Sequence, residues 1–271
     1  MRSTSEPLVE LGQALGAHGL LAFAVLLLAL VGATGALWWG LQRYALPRED
    51  SRLPPLAFLL LHLALGFGVI IGAAALFAAI ADELGAEDDM GRFDEAVSDA
   101  IAQATPAAAV RFFAVVTRLG DPATLAVIGV AVALLLALRR RHMLVAGWVV
   151  TLAGNALLNP ALKALFARVR PVHEGGPVVA DGWSFPSGHS SGAVVVYGML
   201  AYVAVRTLPA RWHLPALLCA TVLAFSIACS RVFVRVHFPS DVVAGLASGL
   251  AWLAVCIVSI ELSRWYRRTR R

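Results

Sequence analysis

Three short runs hold most of the residues of this chain that can do chemistry. They are Lys163-Ala-Leu-Phe-Ala-Arg168-Val-Arg170-Pro171, then Ser184-Phe-Pro186-Ser187-Gly188-His189, then Ser230-Arg231 followed by His237-Phe-Pro-Ser-Asp241. All three lie at the ends of apolar segments, where ionisable side chains are costly to keep and mark functional sites. Arg170 and Arg231 can each fork two N–H groups onto phosphate oxygens, and Lys163 adds a compact point charge. Lys163 and Arg170 are seven residues apart, about two turns, so one face of a helix ending at Pro171 can carry both. Pro, Ser and Gly ahead of an apolar run predict a helix N-terminus, which is an anion site. The Ser187 hydroxyl and the Gly188 amide then touch the anion, and His189 stands ready to protonate a leaving oxygen. His237 and Asp241 are four apart and share a face if helical. An Asp that accepts one ring N–H fixes the tautomer and frees the other nitrogen as base or nucleophile. The same pair also reads as a simple ion pair capping a helix that begins near Ser240. Lys163 or Arg168, each taken alone, reads as a snorkelling cation.

A phosphate ester needs this set. Its anionic oxygens must be neutralised, a nucleophile supplied in line, and the leaving oxygen protonated. The fixed cations suit the first task, His237 with Asp241 the second, and His189 the third.

The elements that must position these residues are membrane helices. The chain has 271 residues, 59% of them hydrophobic and only 14% charged, with mean hydropathy +0.77; soluble domains carry about 25% charge. The pI near 9.6 fits a membrane surface better than nucleic acid, because the basic residues are scattered among apolar spans. Seven stretches approach the length of about 20 residues that a span needs: 18–41, 56–81, 122–138, 143–165, 188–206, 213–230 and 242–262. The first resembles a signal-peptide core but has a poor n-region, so it reads as a retained helix. With the C-terminus in the cytoplasm, thirteen of the 22 Lys and Arg fall in cytoplasmic pieces, and all three motif runs face outward. Residues 82–121, with nine Asp/Glu and three Arg, are too long for a bare loop. Phe93, Val97, Ala100, Ile101 and Ala104 recur at helical spacing there. Phe112, Phe113 and Val116 follow, predicting one or two amphipathic helices on the outer surface. They serve either as a structural cover or as part of the site entrance. Gly245, Gly249, Gly192 and Gly198 permit close helix packing and predict no dimer. Cys219, Cys229 and Cys256 read as packing residues.

Together, Lys-x6-Arg-Pro, Pro-Ser-Gly-His and Ser-Arg-x5-His-x3-Asp resemble the signature of the type 2 phosphatidic acid phosphatase (PAP2) superfamily, in its integral-membrane lipid phosphatase branch. The resemblance covers about residues 56–262. Phe93-Asp94 and Thr117-Arg-Leu-Gly120 look like the family's outer-loop elements, whereas 1–55 has no evident counterpart. It implies an all-α, polytopic transmembrane bundle: a six-helix core over 56–262, an extra N-terminal span and linker in 1–55, and a basic cytoplasmic tail at 263–271. It implies that Lys163, Arg170, Ser187, Gly188 and Arg231 bind phosphate. His189 is then the acid, His237 a nucleophile forming a phosphohistidine, and Asp241 its partner. No cofactor and no metal are implied, and the sequence holds no carboxylate cluster or HExxH pattern. The implied partners are a bilayer and a lipid substrate: undecaprenyl pyrophosphate (favoured), phosphatidylglycerophosphate or phosphatidic acid. The Ala/Leu/Arg-rich composition and compact length point to a bacterial inner membrane.

Other residues read structurally. His62 is a mid-span hydrogen-bonding group. Asn155 and Asn159 bond between helices beside a Pro160 bend. His173 and Arg235 lie near the site. Arg264, Arg267, Arg268, Arg270 and Arg271, with Trp265 and Tyr266, form an interfacial anchor. A lipid-linked phosphotransferase would use the same residues. A vanadium haloperoxidase shares the cradle but is soluble. A transporter explains intramembrane polar groups but not a nucleophile with an acid.

Overall fold

The computed structural model describes residues 6–45, 55–84, 89–171, 178 and 180–269, with the side chains of 44, 45, 55–59, 62, 268 and 269 outside that description. The His62 and His173 readings, and those on Arg268, Arg270 and Arg271, fall outside the described side chains.

Long apolar runs become helices because, away from water, the helix satisfies every backbone group within its own segment. In chain order the main helices are α1 (Glu6–Ala17), α2 (Gly19–Gly40), α3 (Pro55–Asp82), α4 (Asp89–Ala104), α5 (Ala107–Val116), α6 (Pro122–Leu138), α7 (His142–Phe166), α8 (Gly188–Thr207), α9 (His213–Phe233) and α10 (Pro239–Thr269). Among the described residues six helices are long and apolar enough to cross a membrane, and α6 is a shorter apolar helix. The expected all-α, polytopic architecture is therefore observed. α10 runs on through 263–269, so the basic segment extends the last span.

The centre of the bundle is α8, packed against α9, α10 and α7. α3 lies on α10, α2 on α9 and α6 on α7. Small residues let backbones approach. A Cβ on Gly245 would stand 2.5 Å from the Ser187 carbonyl oxygen, and one on Gly249 2.8 Å from that of Ser191. Leu136, Leu144, Trp148, Val196, Met199, Leu253 and Ile260 fill the core between α6, α7, α8 and α10. α2 is keyed onto the bundle by Phe23, whose ring packs against Phe113, Phe225 and Phe233. Asn159 donates to the Ser191 hydroxyl at 3.3 Å, the interhelical bond its position suggested.

Residues 89–120 fold as two helices meeting at a sharp bend of 116°. Val97, Ile101 and Phe113 turn inward onto the end of α9. The inward stripe of α4 also contains Asp94 and Ser98, so it is not purely apolar. α1, which the sequence did not signal, packs along α4.

Candidate active site

Four chain segments converge at one end of the bundle: the exit of α7, the entry of α8, the exit of α9 and the entry of α10. α7 stops earlier than Pro171 suggested. Ala167 adopts the left-handed conformation (φ 44°, ψ 38°) and its N–H closes on the Lys163 carbonyl. Lys163 and Arg170 therefore do not share a helix face. Lys163 stays in the last turn, and Arg170 reaches the site from the loop. That loop is tied to the α8 approach by the Ser184 N–H, which donates to the Arg168 carbonyl at 2.7 Å.

His237 is likewise not on a helix, which corrects the shared-face reading. It precedes α10, whose first turn is Pro239-Ser240-Asp241. Pro at the first helical position and an acid in the first turn both suit a helix start. The Asp241 Oδ2 accepts the Phe238 N–H at 2.9 Å, half of a capping box. The same oxygen accepts from His237 Nδ1 at 3.3 Å and from the Ser184 hydroxyl. Oδ1 accepts from Arg168 Nη1 at 2.7 Å. Capping and orienting, kept as alternatives in the sequence reading, are thus both done by Asp241.

The tautomer of His237 follows from its partners. Arg170 Nη1 lies 3.2 Å from His237 Nε2, and a guanidinium only donates. Nε2 is therefore the lone-pair nitrogen, and Nδ1 carries the proton toward Asp241. His237 is 2% exposed. Burial, more than the neighbouring Arg170 and Arg231 charges, pushes its pKa down to about 3, against the pull of Asp241. The ring is neutral at pH 7. Arg170 is itself lowered by burial, although Asp241 and Asp181 oppose the shift.

His189 enters from the first turn of α8. Its Nε2 is 2.9 Å from Asp121 Oδ1, and Asp121 is 45% exposed. Arg231 is almost wholly buried; its Nη1 donates to Thr117 Oγ1 at 2.7 Å, while its Nε has no hydrogen-bond partner among the described residues. Arg170 and Arg231 are each close enough to both histidines to be electrostatically coupled to them. Lys163 feels both guanidiniums as well. Three cations that repel one another around two imidazoles make a cluster that a dianion would relieve. At present, backbone carbonyls satisfy two of them. Arg170 donates to Asp181, Gly182, Trp183 and Val236, and Lys163 to Trp183 and Ser184.

Of the residues named from sequence, Lys163, Arg170, Arg231, His189, His237 and Asp241 come together, with Gly188 at the same helix start. A Cβ on Gly188 would sit 2.9 Å from Asn159 Oδ1. Ser187 differs from expectation in one respect. Its hydroxyl is buried and accepts from the Ser190 hydroxyl at 2.9 Å and, more loosely, from the Ser190 N–H at 3.4 Å. It caps α8 here. Arg235 sits in the same loop at φ 60°.

The sequence reading gave no site role to five polar neighbours: Asp94 and Thr117, noted only as resembling outer-loop elements, and Asp121, Arg168 and Ser184. Arg168 passed as a snorkelling cation, yet it links Asp94 and Asp241 at 2.8 and 2.7 Å. The available signal was Asp94 itself, an acid on the inward face of an amphipathic helix. Asp121 is the residue just ahead of α6.

A polytopic helical protein with a buried, neutral histidine facing clustered cations is the class that fold and site define. Residues 144–265 match the family model of the PAP2 superfamily. It is 40% identical over 99 residues to phosphatidylglycerophosphatase B of Bacillus subtilis, a match spanning 35% of this chain and 48% of that protein. The chain thus matches about half the length of that curated relative. It also resembles the solved transmembrane PAP2-type phosphatidylglycerolphosphate phosphatase of Bacillus subtilis, with TM-score 0.63, 27% identity, 69% of this chain and 94% of that one covered.

Proposed function

We propose that this protein is a membrane lipid phosphatase that works through a phosphohistidine. Lys163, Arg170, Arg231 and the N–H groups at Gly188 bind the phosphate oxygens. His237 Nε2 attacks phosphorus, forming an N–P bond as the P–O bond to the lipid breaks. His189 gives the leaving oxygen its proton. Water then attacks phosphorus, His189 takes a proton from it, the N–P bond breaks and inorganic phosphate leaves. The observation that carries this reading is the lone pair of His237 Nε2, fixed toward Arg170 within a cluster whose two guanidiniums couple to both histidines.

A lipid substrate is supported by the ground beside Arg170. A cleft of about 330 Å³ is lined by Val169, Arg170, Gly182 and Trp183, and the apolar Val169 and Trp183 are well exposed. The names of the two relatives make phosphatidylglycerophosphate the first substrate to test. The setting we propose is a bacterial inner membrane with the site on the outer side and the C-terminus in the cytoplasm. Its support is that Arg139, Arg140, Arg141, Arg211, Arg264 and Arg267 lie on loops and helix ends opposite the site.

Purified protein is expected to release inorganic phosphate from phosphatidylglycerophosphate, in EDTA and without an added acceptor, and faster than from phosphatidic acid or undecaprenyl pyrophosphate. No release from any of the three, or release only with an acceptor alcohol present, would contradict the hydrolytic reading.

A further inference from the structure

Two contacts tie α4 directly to the turn that carries the His237 partner, and a third does so through Arg168. Asp94 is fully buried. Its Oδ1 accepts the Ser240 N–H at 3.1 Å, and its Oδ2 accepts from the Ser240 hydroxyl and from Arg168 Nη2, the latter at 2.8 Å. Arg168 completes a fork: Nη1 donates to Asp241 Oδ1 and to the Ser240 hydroxyl, each at 2.7 Å. Its guanidinium also lies over the Phe238 ring, 4.5 Å from the centroid.

Apart from the Asp94–Arg168 pair, every one of these contacts ends on residues 238–241. The Ser240 N–H belongs to the first helical turn of α10, whose amides have no partner within the helix. Asp94 supplies one from another helix, with its negative charge at the positive end of the α10 dipole. Asp241 sits in that same turn, so Asp94 and Arg168 fix the place and angle of the carboxylate that holds His237. The charges matter too. One guanidinium is shared by two carboxylates. Without the Asp94 charge, Arg168 bears on Asp241 alone, and Asp241 has less to offer an imidazole that becomes positive during attack.

Resting on the reaction proposed above, we propose that Asp94 and Arg168 are positioning residues. They set the Asp241 carboxylate, and through it the aim and charge stabilisation of His237, making α4 a working part of the site. They touch neither the cation cluster nor the place of the phosphate.

The test compares kcat, KM and inhibition by inorganic phosphate for Asp94→Asn, Arg168→Lys and the double variant, per folded protein. Asp94→Asn keeps shape and removes charge. Arg168→Lys keeps charge and removes the fork. Each single change is expected to lower kcat about 10- to 100-fold, the scale on which partners of an orienting group act. KM and phosphate inhibition should stay within about twofold, because the cradle is untouched. The double variant should lose little more than the worse single one, since the two residues act as a unit. Should Asp94→Asn fail to fold, Arg168→Lys carries the same kcat-against-KM comparison alone. Unchanged kcat, or a loss shared equally by KM and phosphate inhibition, would overturn the proposal. A His237→Ala control separates the two readings. If it keeps activity, the nucleophile reading fails; if it is inactive while Asp94→Asn and Arg168→Lys are fully active, only the positioning role fails.

Discussion

Each histidine of the site is paired with an aspartate, and the two pairs are built differently. His237 and Asp241 are 2% and 0% exposed, and Asp241 takes four donors. His189 and Asp121 are 17% and 45% exposed, with one bond between them at 2.9 Å. The contrast fits two kinds of work. A nucleophile needs one tautomer, one aim and a desolvated lone pair, so it gains from a sealed, over-determined pair. An acid that must later act as base exchanges protons with water twice per cycle, so it gains from a partner that solvent can reach.

The sharpest way to break the contrast is to neutralise each aspartate in turn. Asp241→Asn is expected to slow turnover by about 10³- to 10⁴-fold, the cost of offering a histidine the wrong tautomer in a comparable pair. Asp121→Asn is expected to cost only about fivefold, because a pair with one half-exposed member is worth about 1 kcal/mol or less. Steady-state phosphate release measures both, and equal losses would erase the distinction.

A smaller effect should appear in stability. The His237 pKa falls from 6.5 to about 3 on folding, so between those values the unfolded chain binds the extra proton. Stability is then complete above about pH 6.5 and is lost as the pH falls toward 3, by up to about 1.4 kcal/mol per pH unit. His237→Gln, which cannot ionise, should lose less Tm than the native protein between pH 6.5 and about pH 4. A steeper loss in His237→Gln would contradict the buried neutral ring.

The bundle was legible in the sequence because apolar runs of span length leave little choice, and all seven stretches are helices. Lys163, Arg170, Arg231 and the two histidines were legible too, because cations and histidines are conspicuous at the ends of such runs. What stayed hidden was contact between distant segments. Nothing in local spacing says that Asp94 reaches Ser240 or that Arg168 reaches Asp94. Helix ends were also misjudged. Ala167 turns left-handed ahead of Pro171, and His237 lies outside the helix that Asp241 begins, so arguments from helical spacing gave the wrong geometry to residues that do come together.

The central claim is that His237 Nε2 carries the phosphoryl group. The most direct measurement is rapid quenching in base during turnover of a labelled lipid phosphate, followed by mapping of the modified peptide. The account predicts a base-stable, acid-labile phosphoryl group on His237, absent from His237→Ala. Phosphate released at full rate with no such adduct in the native protein, or an adduct on another residue, would contradict it.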